Sequence, residues 1–121
     1  MRNVSIDRSA VPAPVPPQSV YQSERWGVMT YRIGGLSPNS QHSVKLHFAE
    51  VYFTATNQRK FHVDINGTRK LTNFDIFAAA GAKNKAVMKS FDVSANASGQ
   101  IVIDFKVGSK DQPKLDGLVI E

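Results

Sequence analysis

A chain of 121 residues suits one ordinary domain built around a single hydrophobic core, and a second domain is not expected. Hydrophobic residues make up 41% of the chain and charged residues 21%, which excludes the disordered and fibrous classes. The sequence contains no cysteine, so disulfides and thiolate metal sites are also excluded. The net charge of +5 is scattered over what we interpret as solvated strand faces and turns, without a recognition motif, and nucleic-acid binding is therefore not expected.

The first part of the chain is rich in proline. Residues 9–18 carry four of the six prolines, which oppose both a sheet ladder and a helix, so residues 1–19 are predicted to form an extended N-terminal arm. No apolar run approaches the roughly 20 residues that cross a bilayer, and no signal-peptide core follows Met1. The sequence therefore predicts no membrane interaction.

Beyond the arm, apolar residues recur at every second position, which is the period of a half-buried strand. The alternating sets are Val44, Leu46 and Phe48; Phe61, Val63 and Ile65; Val87, Phe91 and Val93; and Ile101, Ile103 and Phe105. Turn-forming residues separate these sets at intervals of about ten residues. The pattern predicts seven or eight antiparallel strands, and the fold class is an all-β sandwich.

Three local signals predict how the chain reverses between strands. Asn66 and Gly67 both tolerate the positive φ of a type I′ turn, so they predict a hairpin. Residues 78–81 predict a short helical turn closed by Gly81. Asp116 and Gly117 predict another tight reversal.

The three histidines do not form a recognisable metal motif. Alternation places His47 and His62 on strand faces opposite the apolar residues, where solvent-facing imidazoles are expected. Their spacing from each other and from His42 does not match a helical zinc motif. We therefore predict no metal site and no cofactor.

No set of residues indicates catalysis, and the protein is predicted not to be an enzyme. The acidic residues are numerous enough that a glycosidase pair is an alternative, but strand ends, turns and solvent-facing positions explain most of them. The acidic residues considered for such a pair are Glu24, Glu50, Asp64, Asp75, Asp92, Asp104, Asp111 and Asp116.

Adjacent aromatic residues interrupt the alternation at the end of one predicted strand. Only one of Tyr52 and Phe53 can point into the core if the strand stays regular, so the other is exposed or the strand turns. Tyr21 and Trp26 are two further aromatic residues, and Phe74 and Phe77 form another pair. Aromatic faces pack on the C–H surface of sugar rings, although burial in the core is the alternative interpretation.

Five segments in order resemble the landmarks of malectin domains, and the closest resemblance is to bacterial versions appended to glycoside hydrolases. The segments are YQSERW at 21–26, HFAEVYF at 47–53, FHVDING at 61–67, NFDIF at 73–77 and DQPK at 111–114. This resemblance covers residues 20–120 and implies a malectin-like, jelly-roll-like sandwich over residues 20–121. It also implies binding of glucose disaccharides or related oligosaccharides, without cleavage, by a secreted or cell-surface protein.

The resemblance also implies which residues bind the sugar. Tyr52, Phe53 and Trp26 would stack against sugar rings, and Asp111 would accept hydrogen bonds from hydroxyl groups. Trp26 stands where animal malectin has tyrosine, which enlarges the stacking face and removes a phenolic hydroxyl.

The family usually begins with another strand and a further sugar-contacting tyrosine, and no motif of that segment is recognised before Val20. A missing strand would expose a sheet edge, so a homodimer is an expected partner state beside an oligosaccharide ligand and a fused glycoside hydrolase. The alternative function is a structural or protein-interaction sandwich that has lost the sugar pocket.

Overall fold

The computed structural model describes residues 5–22 and 24–121. Strands account for 48% of the described residues and helices for 9%, which confirms the all-β prediction. In the described part of the chain, the elements are α1 (Gln18–Gln22), β1 (Arg25–Trp26), β2 (Met29–Ile33), β3 (Gln41–Ala49), β4 (Lys60–Ile65), β5 (Thr68–Phe74), α2 (Ile76–Ala80), β6 (Ala86–Ser94), β7 (Ile101–Lys110), β8 (Lys114–Leu115) and β9 (Gly117–Ile120).

Two antiparallel sheets pack face to face around the core. One sheet has the strand order β2-β7-β4-β5 and the other has the order β6-β3-β9, while β1 pairs separately with β8. The alternating apolar residues of β3, β4 and β7, which the sequence pattern places on the inward face, are all buried between the two sheets. Removing these side chains from water is what drives the two sheets together.

The predicted hairpin and helical turn are both confirmed. Asn66 and Gly67 connect β4 to β5 with φ values of 48° and 79°, the pair of positive angles that a type I′ turn requires. Helix α2 begins after Asp75, whose carboxylate accepts a hydrogen bond from the Ala78 amide at 3.1 Å, and it ends at Gly81 with φ 86°. Among the described residues, no helix is long and apolar enough to cross a membrane.

The predicted reversal at Asp116 and Gly117 is wrong. These residues do not join a hairpin, because β8 pairs with β1 whereas β9 pairs with β3. The chain instead bends there and passes from the small sheet to the edge of a large one. Both residues suit a bend as well as a turn, so local composition does not distinguish the two outcomes.

The proline-rich segment packs on the outer face of the β6-β3-β9 sheet. Ile6 and Val11 are buried there with Tyr21 of α1 and Ala49 of β3, in a second apolar cluster. The backbone of Asp7 bonds to Asn84 and Ala86, which fixes the segment beside β6.

This cover explains why the prediction for His47 is wrong. His47 lies on the outer face of β3 as alternation requires, but it is only 4% exposed, and its Nδ1 is 2.8 Å from the Tyr21 hydroxyl. Burial lowers the pKa of His47. Gly117 lies opposite His47, and an added Cβ would come within 2.7 Å of Val20 Cγ1, so glycine permits the close approach of α1.

Candidate functional site

The adjacent aromatics Tyr52 and Phe53 lie outside the core because β3 ends before them, at Ala49. The sequence allowed either an exposed ring on a regular strand or a strand that turns, and the structure shows that the chain turns after Ala49. We name residues 50–59, which connect β3 to β4, the aromatic loop. Tyr52 is 61% exposed, Phe53 is half-buried, and their ring centroids lie 4.8 Å apart in an edge-to-face arrangement.

A buried ion pair supports the aromatic loop from below. Glu50 Oε1 accepts a hydrogen bond from Arg59 Nε at 2.7 Å, and the two side chains are only 1% and 4% exposed. Glu50 Oε2 accepts from the amides of Tyr52 at 3.2 Å and Phe53 at 3.4 Å. The prediction of a solvated position for Arg59 is therefore wrong, because its charge is neutralised by Glu50 in a site almost closed to water.

Trp26 and Asp111 come from the neighbouring short sheet and the loop that precedes its second strand. Trp26 pairs with Lys114, and the Gly27 amide donates to the Pro113 carbonyl at 2.9 Å. We name residues 111–113, which connect β7 to β8, the aspartate loop. Asp111 is exposed with φ 51°, a left-handed conformation that aspartate tolerates better than most residues.

These elements form one cleft of about 390 Å³. The described residues that line it are Glu24, Trp26, Tyr52, Arg59 and Asp111. The structure thus brings together three of the four site residues expected from the sequence. Phe53 lies beside the cleft, with its ring against Tyr52 and over the Arg59 guanidinium at 5.1 Å.

A second buried charge cluster lies next to the cleft. Lys114 is fully buried, with its Nζ 3.0 Å from Glu24 Oε2 and 3.2 Å from Asp116 Oδ1, and it also donates to the Ala49 carbonyl. Burial raises the pKa of Asp116 to about 7, even though the Lys114 charge opposes that shift. Lys114 is thus a further exception to the prediction that the basic residues lie on solvated faces and turns.

Sequence reasoning did not assign Glu24 and Arg59 to the cleft. Glu24 lies inside the first recognised landmark, so its position two residues before Trp26 was an available signal. Arg59 had no local signal, because its partner Glu50 is nine residues away across an irregular loop. Among the described residues, no group of three or more His, Asp or Glu side chains is arranged to hold a metal ion.

A two-sheet sandwich with an aromatic cleft in its loops is an architecture found among carbohydrate-binding modules. The family model of the malectin domain matches residues 3–118, and the chain belongs to this family. The matched range includes residues 3–19, which precede the landmarks recognised in the sequence. Malectin domains are non-catalytic and have a carbohydrate-binding fold, so this domain is not catalytic.

Relatives and solved structures agree with this assignment. A probable receptor-like protein kinase of Arabidopsis thaliana is 32% identical over 122 residues, covering 89% of this chain and 14% of the relative. Malectin of Homo sapiens is 30% identical over 115 residues, covering 85% and 39%. The ANX2 ectodomain from Arabidopsis thaliana has the same fold, with a TM-score of 0.88 at 22% identity over 99% of this chain and 38% of that one. The chain thus spans well under half of the relatives it matches.

A link to glycoside hydrolases has weaker support. A β-glucuronidase of Bacteroides uniformis matches with a TM-score of 0.71 at 20% identity, over 84% of this chain and 11% of that enzyme. This likeness concerns the fold alone.

Proposed function

We propose that this domain binds glucose-containing disaccharides or oligosaccharides in the cleft, without cleaving them. The observation that supports this function is the exposure of two large aromatic side chains, Trp26 at 59% and Tyr52 at 61%, in one cleft with a carboxylate. Exposed aromatic rings are costly in water unless they meet an apolar surface, and the C–H face of a pyranose provides one. The cleft volume lies within the range of small-ligand sites.

Each residue of the cleft has a distinct proposed role. Trp26 and Tyr52 stack against sugar rings, and Asp111 accepts hydrogen bonds from hydroxyl groups. Phe53, which sequence reasoning placed in direct contact with sugar, is proposed to support the Tyr52 ring through their edge-to-face contact. Binding of neutral sugars is favoured over uronic acids, because Glu50 neutralises Arg59 and Lys114 neutralises Glu24, which leaves the Asp111 carboxylate to repel an anionic sugar.

The experiment is a glycan array followed by calorimetry, with Trp26 fluorescence as a second readout of titrations with maltose and cellobiose. Tyr52→Ala is expected to weaken binding by about 1 to 3 kcal/mol through loss of a stacked ring. Asp111→Ala is expected to weaken it more than Asp111→Asn does. Asp92→Ala, which changes an exposed carboxylate on β6, is the matched control and leaves affinity unchanged.

Two outcomes contradict the proposal. If Tyr52→Ala and Asp111→Ala keep the affinity of the native protein while folded, the sugar binds elsewhere. If no glycan on the array binds the native protein, a structural or protein-interaction sandwich becomes the better function.

The wider setting of the domain is also a proposal. Because ANX2 is described as an ectodomain, we propose that this chain acts outside the cell, in a secreted or cell-surface protein. The Bacteroides uniformis enzyme motivates the proposal that a glycoside hydrolase accompanies it in a longer protein. Size determination of the parent protein in culture medium and cell fractions tests both.

A homodimer through a sheet edge is the last part of the proposal. Strands β2, β5, β6 and β9 lie at the ends of the two large sheets, and the start of β6 at Ala86 is already paired with Asp7. The other edges could pair with another chain. Light scattering over a range of concentrations should report association. A mass that stays monomeric throughout contradicts this part alone.

A further inference from the structure

One buried side chain contacts both loops that form the cleft. Arg59 is the last residue of the aromatic loop, immediately before β4, and its Nε bonds to Glu50 at 2.7 Å. Its Nη1 donates to the Gln112 carbonyl in the aspartate loop at 2.8 Å. Arg59 also lines the cleft itself.

We propose that Arg59 is a positioning residue that fixes the aromatic loop relative to the aspartate loop, and that it thereby sets the affinity of the cleft. This inference rests on the proposed function. It concerns the distance between Tyr52 and Asp111, which approach a bound sugar from different loops.

On the aspartate loop, Arg59 binds only one residue away from Asp111. Asp111 directly precedes Gln112, whose carbonyl Arg59 holds, and the Asp111 carboxylate accepts a hydrogen bond from the Gln112 amide at 2.7 Å. The strands behind the loops are also paired, with Lys60 of β4 opposite Lys110 of β7. The guanidinium therefore fixes the loop one residue from the carboxylate that is proposed to bind sugar.

The aromatic side is connected through three contacts. Glu50, which Arg59 orients, accepts from the amides of Tyr52 and Phe53. The Phe53 ring packs over the guanidinium, and the Tyr52 ring packs against Phe53. Each contact leads from Arg59 toward the exposed Tyr52 ring.

Arginine suits this position better than lysine for a geometric reason. Its planar guanidinium donates in two directions at once and presents a flat face to an aromatic ring, whereas an ammonium group is a compact point charge. A site whose two sides are ordered before binding avoids the entropy cost of ordering them afterwards. Replacing the guanidinium with an ammonium group should therefore reduce the affinity for sugar even though the positive charge remains.

The experiment compares Arg59→Lys with the native protein. Calorimetry with maltose and cellobiose is expected to show affinity reduced about tenfold, with a less favourable binding entropy. Hydrogen exchange by NMR is expected to be faster at the amides of Tyr52 and Phe53, while the amide of Leu46 in β3 is unchanged. If Arg59→Lys does not fold, the second variant is Glu50→Gln/Arg59→Met, which removes the guanidinium without leaving an unpaired buried charge, and the same two changes are expected.

The matched control is Asp64→Asn, which breaks a different ion pair on the outer face of β4, five residues along the chain from Arg59. It should alter stability without altering affinity or the exchange of the Tyr52 and Phe53 amides. A purely structural role for Arg59 predicts that both variants behave alike.

The outcomes separate this inference from the proposed function. If the native protein binds maltose or cellobiose but folded Arg59→Lys keeps the same affinity and exchange, the inference is overturned and the proposed function stands. If neither sugar binds the native protein, the proposed function in this form fails. Hydrogen exchange at the amides of Tyr52 and Phe53 then tests whether Arg59 positions the aromatic loop. Faster exchange at Tyr52 and Phe53 then supports positioning by Arg59, and unchanged exchange overturns it.

Discussion

The buried ion pairs at the two ends of β4 differ in how exposed the partners are. At the cleft, Glu50 and Arg59 are both removed from water, and each depends on the other. Near the hairpin, Asp64 is buried but its partners Arg69 and Lys106 are 41% and 52% exposed. An exposed cation can be solvated when its partner is lost, whereas a buried one cannot. The ion pair at the cleft should therefore be far more sensitive to substitution than the one near the hairpin.

The largest effect should follow Arg59→Met, which leaves the Glu50 carboxylate buried without a countercharge. We expect the free energy of unfolding to fall by about 3 to 5 kcal/mol in urea denaturation. The double variant Glu50→Gln/Arg59→Met should recover most of the loss, because no uncompensated charge remains. A loss below about 1 kcal/mol for the single variant would show that water reaches Glu50 after all.

The next effect concerns Asp116 and pH. Burial raises its pKa from 3.8 to about 7, so the folded protein retains a proton that the unfolded chain releases, and the contribution of Asp116 to stability falls as pH rises across that interval. Asp116→Asn removes this dependence and should gain stability relative to the native protein from pH 4 to 7, by at most about 4 kcal/mol.

Thermal unfolding at several pH values measures this difference. His47, whose lowered pKa gives a contribution of opposite sign, is present in both proteins and cancels in the comparison. Asp92→Asn, at an exposed position, should follow the native curve. Parallel curves for Asp116→Asn and the native protein would contradict the raised pKa.

A smaller effect is expected from Asp64→Asn. Burial alone would raise the pKa of Asp64, but hydrogen bonds from Arg69 and Lys106 outweigh it and lower the pKa below 3.8. The ionised carboxylate therefore stabilises the fold above that value, and the benefit is lost as pH falls through the lowered pKa. We expect the variant to lose about 1 to 2 kcal/mol at pH 7, and the difference to vanish in strong acid. If the loss of stability persists at low pH, it arises from altered packing or hydrogen bonding of the side chain and not from the carboxylate charge.

The smallest effect should follow Arg69→Ala, because Lys106 still neutralises Asp64 and Arg69 itself is partly exposed. A change below about 1 kcal/mol is expected in urea denaturation, and 1 M salt should reduce it further. A loss as large as that of Arg59→Met would remove the distinction between the two ends of β4.

Local chemistry accounts for the parts of the fold that sequence predicted. The Asn66-Gly67 turn depends only on which backbone angles those two residues tolerate. The inward face of β3 depends only on alternation. The malectin landmarks located Trp26, Tyr52 and Asp111, because they give chain positions and do not require the loop geometry to be derived.

Contacts between distant segments account for what sequence did not predict. Alternation placed His47 on the outer face correctly, but whether that face meets water depends on the proline-rich segment. Arg59 was assigned to solvent with the other basic residues, and no buried position was expected for Glu50, because charged residues usually lie at the surface. Their burial follows from a loop whose path no periodicity describes.

The second apolar cluster has a practical consequence for protein production. A fragment cut at Val20, where the recognised landmarks begin, would remove Ile6 and Val11 from the outer face of β3. The uncovered surface would include Ala49 and Tyr21, and contiguous apolar patches of this kind promote aggregation. A shortened version for expression or fusion should therefore retain the chain from Ile6 onward.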